Sequence, residues 1–204
     1  MKKIDINQQD CIKIACQYLK KGKIISFATE TVYGLACDAS NKNAVDELYS
    51  LKNRSHDKPI AIFVKDLDVA YDLLIFDDLA KNIAQKYLPG SLTMVLKKNK
   101  SSEIKLAENL NMHDEFLGFR ISSNDFVQKL MLDFDGVMAV TSANISGTKA
   151  ASYDFEVEKY FANSKLDLLI CNGACASKIA STVVKIVNNE LIFLRYGEVI
   201  PIPI

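Results

Sequence analysis

The side chains best suited to chemistry in this sequence gather in short polar stretches that end apolar ones. TETVYG at 29–34 follows KIISF, and LKNRSHDKP at 51–59 carries Lys52, Arg54 and Lys58. Arg120 closes FLGFR, TSANISG at 141–147 holds Ser142 and Asn144, and Ser181, Thr182 and Arg195 bracket the last apolar pair of segments. These are hydroxyls, amides and cations, groups that hold and orient a ligand, and α/β folds collect ligand sites at strand ends. Thr29, Thr31 and Tyr33 alternate, so an extended backbone would put all three hydroxyls on one side. Gly34 would let the chain turn there without a side chain in the way.

Several chemistries are disfavoured. The eight glycines form neither a phosphate-binding P-loop nor a dinucleotide fingerprint, and there is no G-x-S-x-G nucleophile elbow. The two histidines, His56 and His113, lie in polar segments and give little support to a His-activated nucleophile. Cys11, Cys16, Cys37, Cys171 and Cys175 lack the two-residue spacing of zinc or redox motifs, so buried free thiols are the expectation and no metal site is assigned. Taken singly, each polar cluster also reads as ordinary structure: a strand exit with solvated threonines, a cationic helix end, a capped turn, an edge arginine or half of an ion pair.

The elements that must position these groups alternate. Helical spacing predicts a helix from Asn7 to Lys21 that stops at Gly22, a second over Asn41–Leu51, and others over DDLAKNIAQKYL and NDFVQKLML. Apolar runs predict strands at KIISF, IAIFV, SLTMVL, FLGFRI and VMAVTS. STVVKIV and ELIFLRY flank Asn188-Asn189 as a hairpin. Lys98–Glu115 reads as a mobile loop or short helix. The fold class is therefore α/β or α+β, one twisted mixed sheet with flanking helices, which the resemblance given below implies is open.

At 204 residues the chain suits one domain over 1–204, large enough to bury roughly 70% of its unfolded surface. Lys+Arg 25 balances Asp+Glu 25, which argues against a dedicated nucleic-acid coat while leaving room for a local basic cleft. No run of apolar residues is long enough for a signal peptide or membrane span, so the cytoplasm is the expected compartment.

In order and together, KGKIISFATETVYGLACDA, LKNRSHDKPI, YLPGSLTMVL, GFRI, TSANISG and STVVKIV with LRYGEV resemble the YrdC-like family, across about residues 20 to 200. The chief members of that family are threonylcarbamoyl-AMP synthases. The resemblance implies a YrdC-like fold with a concave basic cavity, and an enzyme, a nucleotidyltransferase, that condenses L-threonine, bicarbonate and ATP into threonylcarbamoyl-AMP and pyrophosphate. Magnesium is expected with the ATP. The product would pass to tRNA threonylcarbamoyl transferase proteins for modification of tRNA next to the anticodon, with direct tRNA contact left open and no membrane partner.

The resemblance also assigns residues. The family's K-x-R motif falls on Lys52 and Arg54 and its S-x-N motif on Ser142 and Asn144, the catalytic set. Thr31, Arg120 and Ser181 match threonine-binding positions. Arg54, Lys58, Ser142 and Arg195 match nucleotide-binding positions, and Thr29, Tyr33 and Thr182 would line the same pocket. Ser55, Ser91, Thr141 and Tyr196 depart from common family wording without removing a motif residue. The rival readings are a non-catalytic RNA- or nucleotide-binding protein of the same fold, a carbamoyl-transferring relative in hydrogenase maturation, and a purely structural protein.

Overall fold

The computed structural model describes residues 1–202. Its first half runs β1 (Lys2–Asp5), α1 (Cys11–Lys20), β2 (Ile25–Ala28), β3 (Tyr33–Asp38), α2 (Lys42–Leu51), β4 (Ala61–Phe63), α3 (Leu67–Leu73), β5 (Leu74–Ile75) and α4 (Asp78–Tyr87). The second half continues with β6 (Leu92–Lys98), β7 (Phe116–Arg120), α5 (Asp125–Phe134), β8 (Met138–Ser142), α6 (Asp154–Phe161), β9 (Leu168–Cys171), β10 (Thr182–Val187) and β11 (Glu190–Arg195).

Local chemistry explains most of the boundaries. Asn41, Asp66, Asp77 and Asn124 each accept a backbone N–H three residues on, and so satisfy a donor that α2, α3, α4 or α5 would leave open. Each helix turns an apolar stripe inward, as with Ala44, Val45, Leu48 and Tyr49 of α2. The first helix stops short of Gly22, whose φ of 69° suits glycine, but it begins at Cys11 rather than Asn7 because residues 6–10 form turns. Asn188 and Asn189 adopt φ of 52° and 56°, the left-handed pair that a two-residue hairpin turn requires.

The strands form one mixed sheet in the order β1-β9-β2-β3-β8-β4-β7-β6-β10-β11, with β5 paired to β6. Pairings β1·β9, β2·β9, β4·β7 and β6·β10 are parallel and the others antiparallel. Among the described residues no helix is long and apolar enough to cross a membrane.

Alternation along the strands sorts side chains onto two faces. Leu35, Ile62, Met94, Leu117, Ala139 and Val184 enter one large core. The opposite face has a smaller core, in which Leu19 of α1 and Leu130 of α5 pack on Ile25, Phe27, Ala36, Met138 and Val140. That cover stops near the middle of the sheet. Beyond it, on the same face, β4, β7, β6 and β10 are left open, and this bare stretch becomes the floor of a cavity.

Lys98–Glu115 takes the loop rather than the short helix of the two expected forms: after β6 turns alternate with irregular backbone up to Asp114, tied down by two asparagines. Asn109 Nδ2 donates to Lys42 O and Asp46 Oδ1, and Asn111 donates to Ile60 O while accepting from Ile60 N–H.

Candidate functional site

The cavity holds about 410 Å³. Its floor is built by alternate residues of four strands: Ala61 and Phe63, Thr93 and Val95, Phe116, Gly118 and Arg120, and Val183 and Lys185. One rim is the β2–β3 turn, another the end of β8 at Ser142, and a third Ser181 and Arg195. Arg54, Arg120, Lys185 and Arg195 line it against a single carboxylate, Asp114, so the basic cavity expected from the resemblance is present.

The TETVYG segment is not the continuous extended strand that its alternation suggests. β2 ends at Ala28, residues 29–32 bend, and β3 starts at Tyr33. Thr29 Oγ1 donates to Val32 O at 2.7 Å and lies 2.9 Å from Thr31 Oγ1. Because the Thr29 proton is committed to Val32, the Thr31 hydroxyl donates to Thr29. Thr29 and Thr31 thus meet through a turn rather than through strand periodicity. Tyr33 belongs to the cavity wall, but its hydroxyl turns elsewhere, donating to Gly173 O at 3.1 Å and accepting from Asn172 N–H at 3.2 Å.

Arg120 is 4% exposed and is held by two hydrogen bonds and an ion pair. Nε donates to Gly90 O at 3.0 Å, Nη1 donates to Thr31 Oγ1 at 3.0 Å, and Nη2 lies 2.8 Å from Glu30 Oε1. The Glu30 carboxylate also accepts from Ser122 Oγ at 2.6 Å and Ser123 N–H at 3.0 Å. Burial alone would raise the Glu30 pKa; Arg120, Ser122 and Ser123 outweigh it and hold the group below its usual value. On the β10–β11 side Arg195 donates to Ser181 Oγ at 3.1 Å and Ser181 O at 2.9 Å, and Ser181 in turn meets Thr93 Oγ1 at 2.9 Å. Burial, and after it the charge of Arg120, press the Arg195 pKa downward. An anion bound between these arginines would relieve that repulsion.

The K-x-R and S-x-N residues split into two layers. Arg54 and Ser142 line the cavity, whereas Lys52 and Asn144 lie behind them. Lys52, 1% exposed, donates to Ser142 O and to Asn144 Oδ1, and Ser142 Oγ donates to the same Oδ1 at 2.6 Å. Asn144 Nδ2 fixes the following turn through Ile145 O and Thr148 O. Arg54 is held by the carbonyls of Lys58 and Pro59 at 3.1 and 2.9 Å.

Besides Lys52 and Asn144, two further expected residues do not line the cavity. The Lys58 side chain is exposed on the surface, and that residue contributes only its carbonyl to Arg54. Thr182 is the out-of-phase neighbour of Ser181 on β10, so its side chain falls on the opposite face. There it donates to Val199 O and accepts from Gly197 N–H. Glu30, Thr93, Asp114, Phe116 and Lys185 were not singled out in the sequence. Thr93 and Lys185 carried a usable signal, each being a polar residue on alternate positions of an apolar strand.

An open sheet face that gathers three arginines and several hydroxyls defines an α/β protein with a basic cavity on its sheet. A family model described as Telomere recombination, for Sua5, YciO and YrdC proteins, matches residues 17–197, and the chain belongs to that family. A Methanocaldococcus jannaschii protein, named provisionally as a threonylcarbamoyl-AMP synthase, is 34% identical over 202 residues, covering 97% of this chain and 92% of its own. The Pyrococcus abyssi threonylcarbamoyl-AMP synthase is 29% identical over 187 residues, covering 91% of this chain; the chain spans 54% of that protein's length. The human threonylcarbamoyl-AMP synthase is 33% identical over 150 residues, 72% of this chain and 50% of its own. The solved structure of P. abyssi Sua5 complexed with L-threonine superposes with a TM-score of 0.89 at 27% identity, covering 97% of this chain and 57% of the other. Escherichia coli YciO, at 23% identity and TM-score 0.83 over 96% of this chain and 93% of its own, shares the fold.

Proposed function

We propose that the protein is a threonylcarbamoyl-AMP synthase, a nucleotidyltransferase that joins L-threonine, bicarbonate and ATP and releases pyrophosphate. The observation that carries this reading is the meeting of Arg120 and Thr31 at one end of the cavity with Arg54, Ser142 and Arg195 around the remainder. The likeness to relatives named for that activity supports it.

In this reading Arg120, held in place by Thr31 and with Ser181 nearby, takes the threonine carboxylate, because a charge in a closed pocket needs a cation or several donors. Arg54 and Arg195 bind phosphate oxygens, for which the planar guanidinium supplies paired donors. The neutral threonine amine attacks bicarbonate with loss of water, or adds to carbon dioxide derived from it with loss of a proton, and becomes the carbamate. The resulting carbamate oxygen attacks the α-phosphorus of ATP, and pyrophosphate leaves. No protein nucleophile is required; the site holds the reactants together and stabilises charge on the phosphoryl oxygens. Lys52 and Asn144 act from behind by fixing Ser142. Magnesium would arrive with the nucleotide and neutralise phosphate charge. The donor set fits an ion carried chiefly by phosphates and water, since Asp114 has one oxygen on Phe116 N–H and a second to offer. The adenylate then passes to proteins that load it onto tRNA.

Pyrophosphate release from Mg-ATP and bicarbonate, with and without L-threonine and with mass detection of the adenylate, tests the proposal. Threonine-dependent release with that product upholds it. Nucleotide or RNA binding by folded protein without release replaces it with a binding module.

A further inference from the structure

Glu30 has no part in the chemistry above and does not line the cavity, yet it ties four segments together. Its carboxylate meets Arg120 at the end of β7 and both Ser122 and Ser123 ahead of α5. Its carbonyl accepts from Ser177 N–H at 3.0 Å, and the residue itself sits in the β2–β3 turn. The Glu30 side chain is 14% exposed and that of Arg120 5%, so each is the other's main compensation for burial.

We infer that Glu30 is a positioning residue for the substrate carboxylate: it fixes the Arg120 guanidinium before the ligand arrives and cancels its net charge. The inference rests on the threonine reading of the Arg120 end. Gly90, Thr31 and Glu30 approach Arg120 from three directions, so the fork cannot swing toward the triphosphate end. A guanidinium has five N–H groups and these partners use only part of them. Nη1 spends one hydrogen on Thr31 and keeps another, which suits a planar carboxylate. Ordering a long side chain in advance removes a cost that the ligand would otherwise bear. Balancing the charge also weakens the pull of this end on phosphates, which bind better to the unpaired Arg54 and Arg195. One carboxylate in the turn would thereby mark Arg120 for the substrate carboxylate and leave the phosphates to the arginines that have no acidic partner.

Glu30→Gln tests this, since the amide keeps an oxygen for Ser123 N–H but loses the charge facing Arg120. The expected result is a threonine KM raised about tenfold or more, as for loss of one charge-assisted contact, with the ATP KM and kcat within about twofold. Ser122→Ala, which removes one donor to the carboxylate, should shift the threonine KM the same way by less, and it carries the test should Glu30→Gln not fold. Solvent exchange of the Arg120 Nε–H, followed by NMR without ligand, should quicken in both variants. Unchanged KM and exchange overturn the inference, and so does an equal rise in both KM values, which would mark general damage to the site. A wild type without threonine dependence would sink the synthase reading alone. Arg120 exchange would then decide the positioning role by itself: faster in the variants upholds it, unchanged overturns it.

Discussion

Lys52 supplies a prediction whose size follows from its surroundings. Its ammonium is buried beneath Ser142 and Asn144, and burial, followed by the nearby charge of Arg54, pushes its pKa from 10.5 down to about 7. In the unfolded chain the group keeps its ordinary value. Below pH 7 both states are protonated and the folded protein bears the whole cost of the buried charge. Between pH 7 and 10.5 the folded state releases a proton that the unfolded state retains, so stability rises with pH at about 1.4 kcal/mol per unit. The full window amounts to about 5 kcal/mol, a ceiling because two carbonyl oxygens partly compensate the ammonium. Denaturant unfolding of the wild type and Lys52→Met, measured in parallel from pH 6 to 10, isolates the term, since other titrating groups are common to both. The wild type should gain on the variant by about 2 kcal/mol between pH 7 and 9, because Lys52 is already half deprotonated at pH 7. A difference that stays flat across that range would mean that Lys52 remains charged in the fold, and the argument from burial would fail.

Arg54→Ala should lower the rate of threonine-dependent pyrophosphate release about 10²-fold or more, the cost of removing one preorganised donor; near-normal turnover would refute its role. Gly118 lies on the cavity floor with room for a Cβ at 3.5 Å from Ala61 and 3.6 Å from Thr93 and Val95. Gly118→Leu should therefore fold while filling the space above it, and abolished nucleotide binding by calorimetry with an unshifted melting temperature is the expected pair of results. Asn111→Ala removes three buried side-chain hydrogen bonds, to Ile60 N–H, Ile60 O and Tyr49 Oη, and should cost about 2–4 kcal/mol by denaturant titration.

Local signals in the sequence were readable where one residue decides the outcome. Gly22 ended the first helix, Asn41 began the second, and Asn188-Asn189 turned the last hairpin, each through backbone chemistry confined to a few residues. The β2–β3 turn escaped because Thr29, Thr31 and Tyr33 mimic strand alternation while Thr29 closes a turn onto Val32. α3, α6 and the short strands β1, β5 and β9 escaped as well. Leu168–Cys171 has only four residues, and nothing local says that it pairs with both β1 and β2. Sheet order is a property of distant partners, so the bare region between β4 and β10 could not be read in advance. The motif residues were visible, but their two layers were not: Lys52 and Arg54 are two positions apart in sequence yet fall behind the wall and on it. Glu30 was not singled out because its partners lie about ninety positions away.

The sheet order bears on how the protein comes into being. The cavity draws on Thr31, Arg54, Arg120, Ser142, Ser181 and Arg195, and β10 adds to the sheet beside β6, matching Thr182–Lys185 with Leu92–Val95. Pairings so far apart in the chain close large loops and form late. On the ribosome, the Arg195 wall is made only after nearly every other part of the site has been synthesised, and Ser181 and Thr93 must wait for each other across that interval. Ligand contacts made by the Ser181 and Arg195 wall therefore report a sheet completed through β10 and β11 rather than any stage before it.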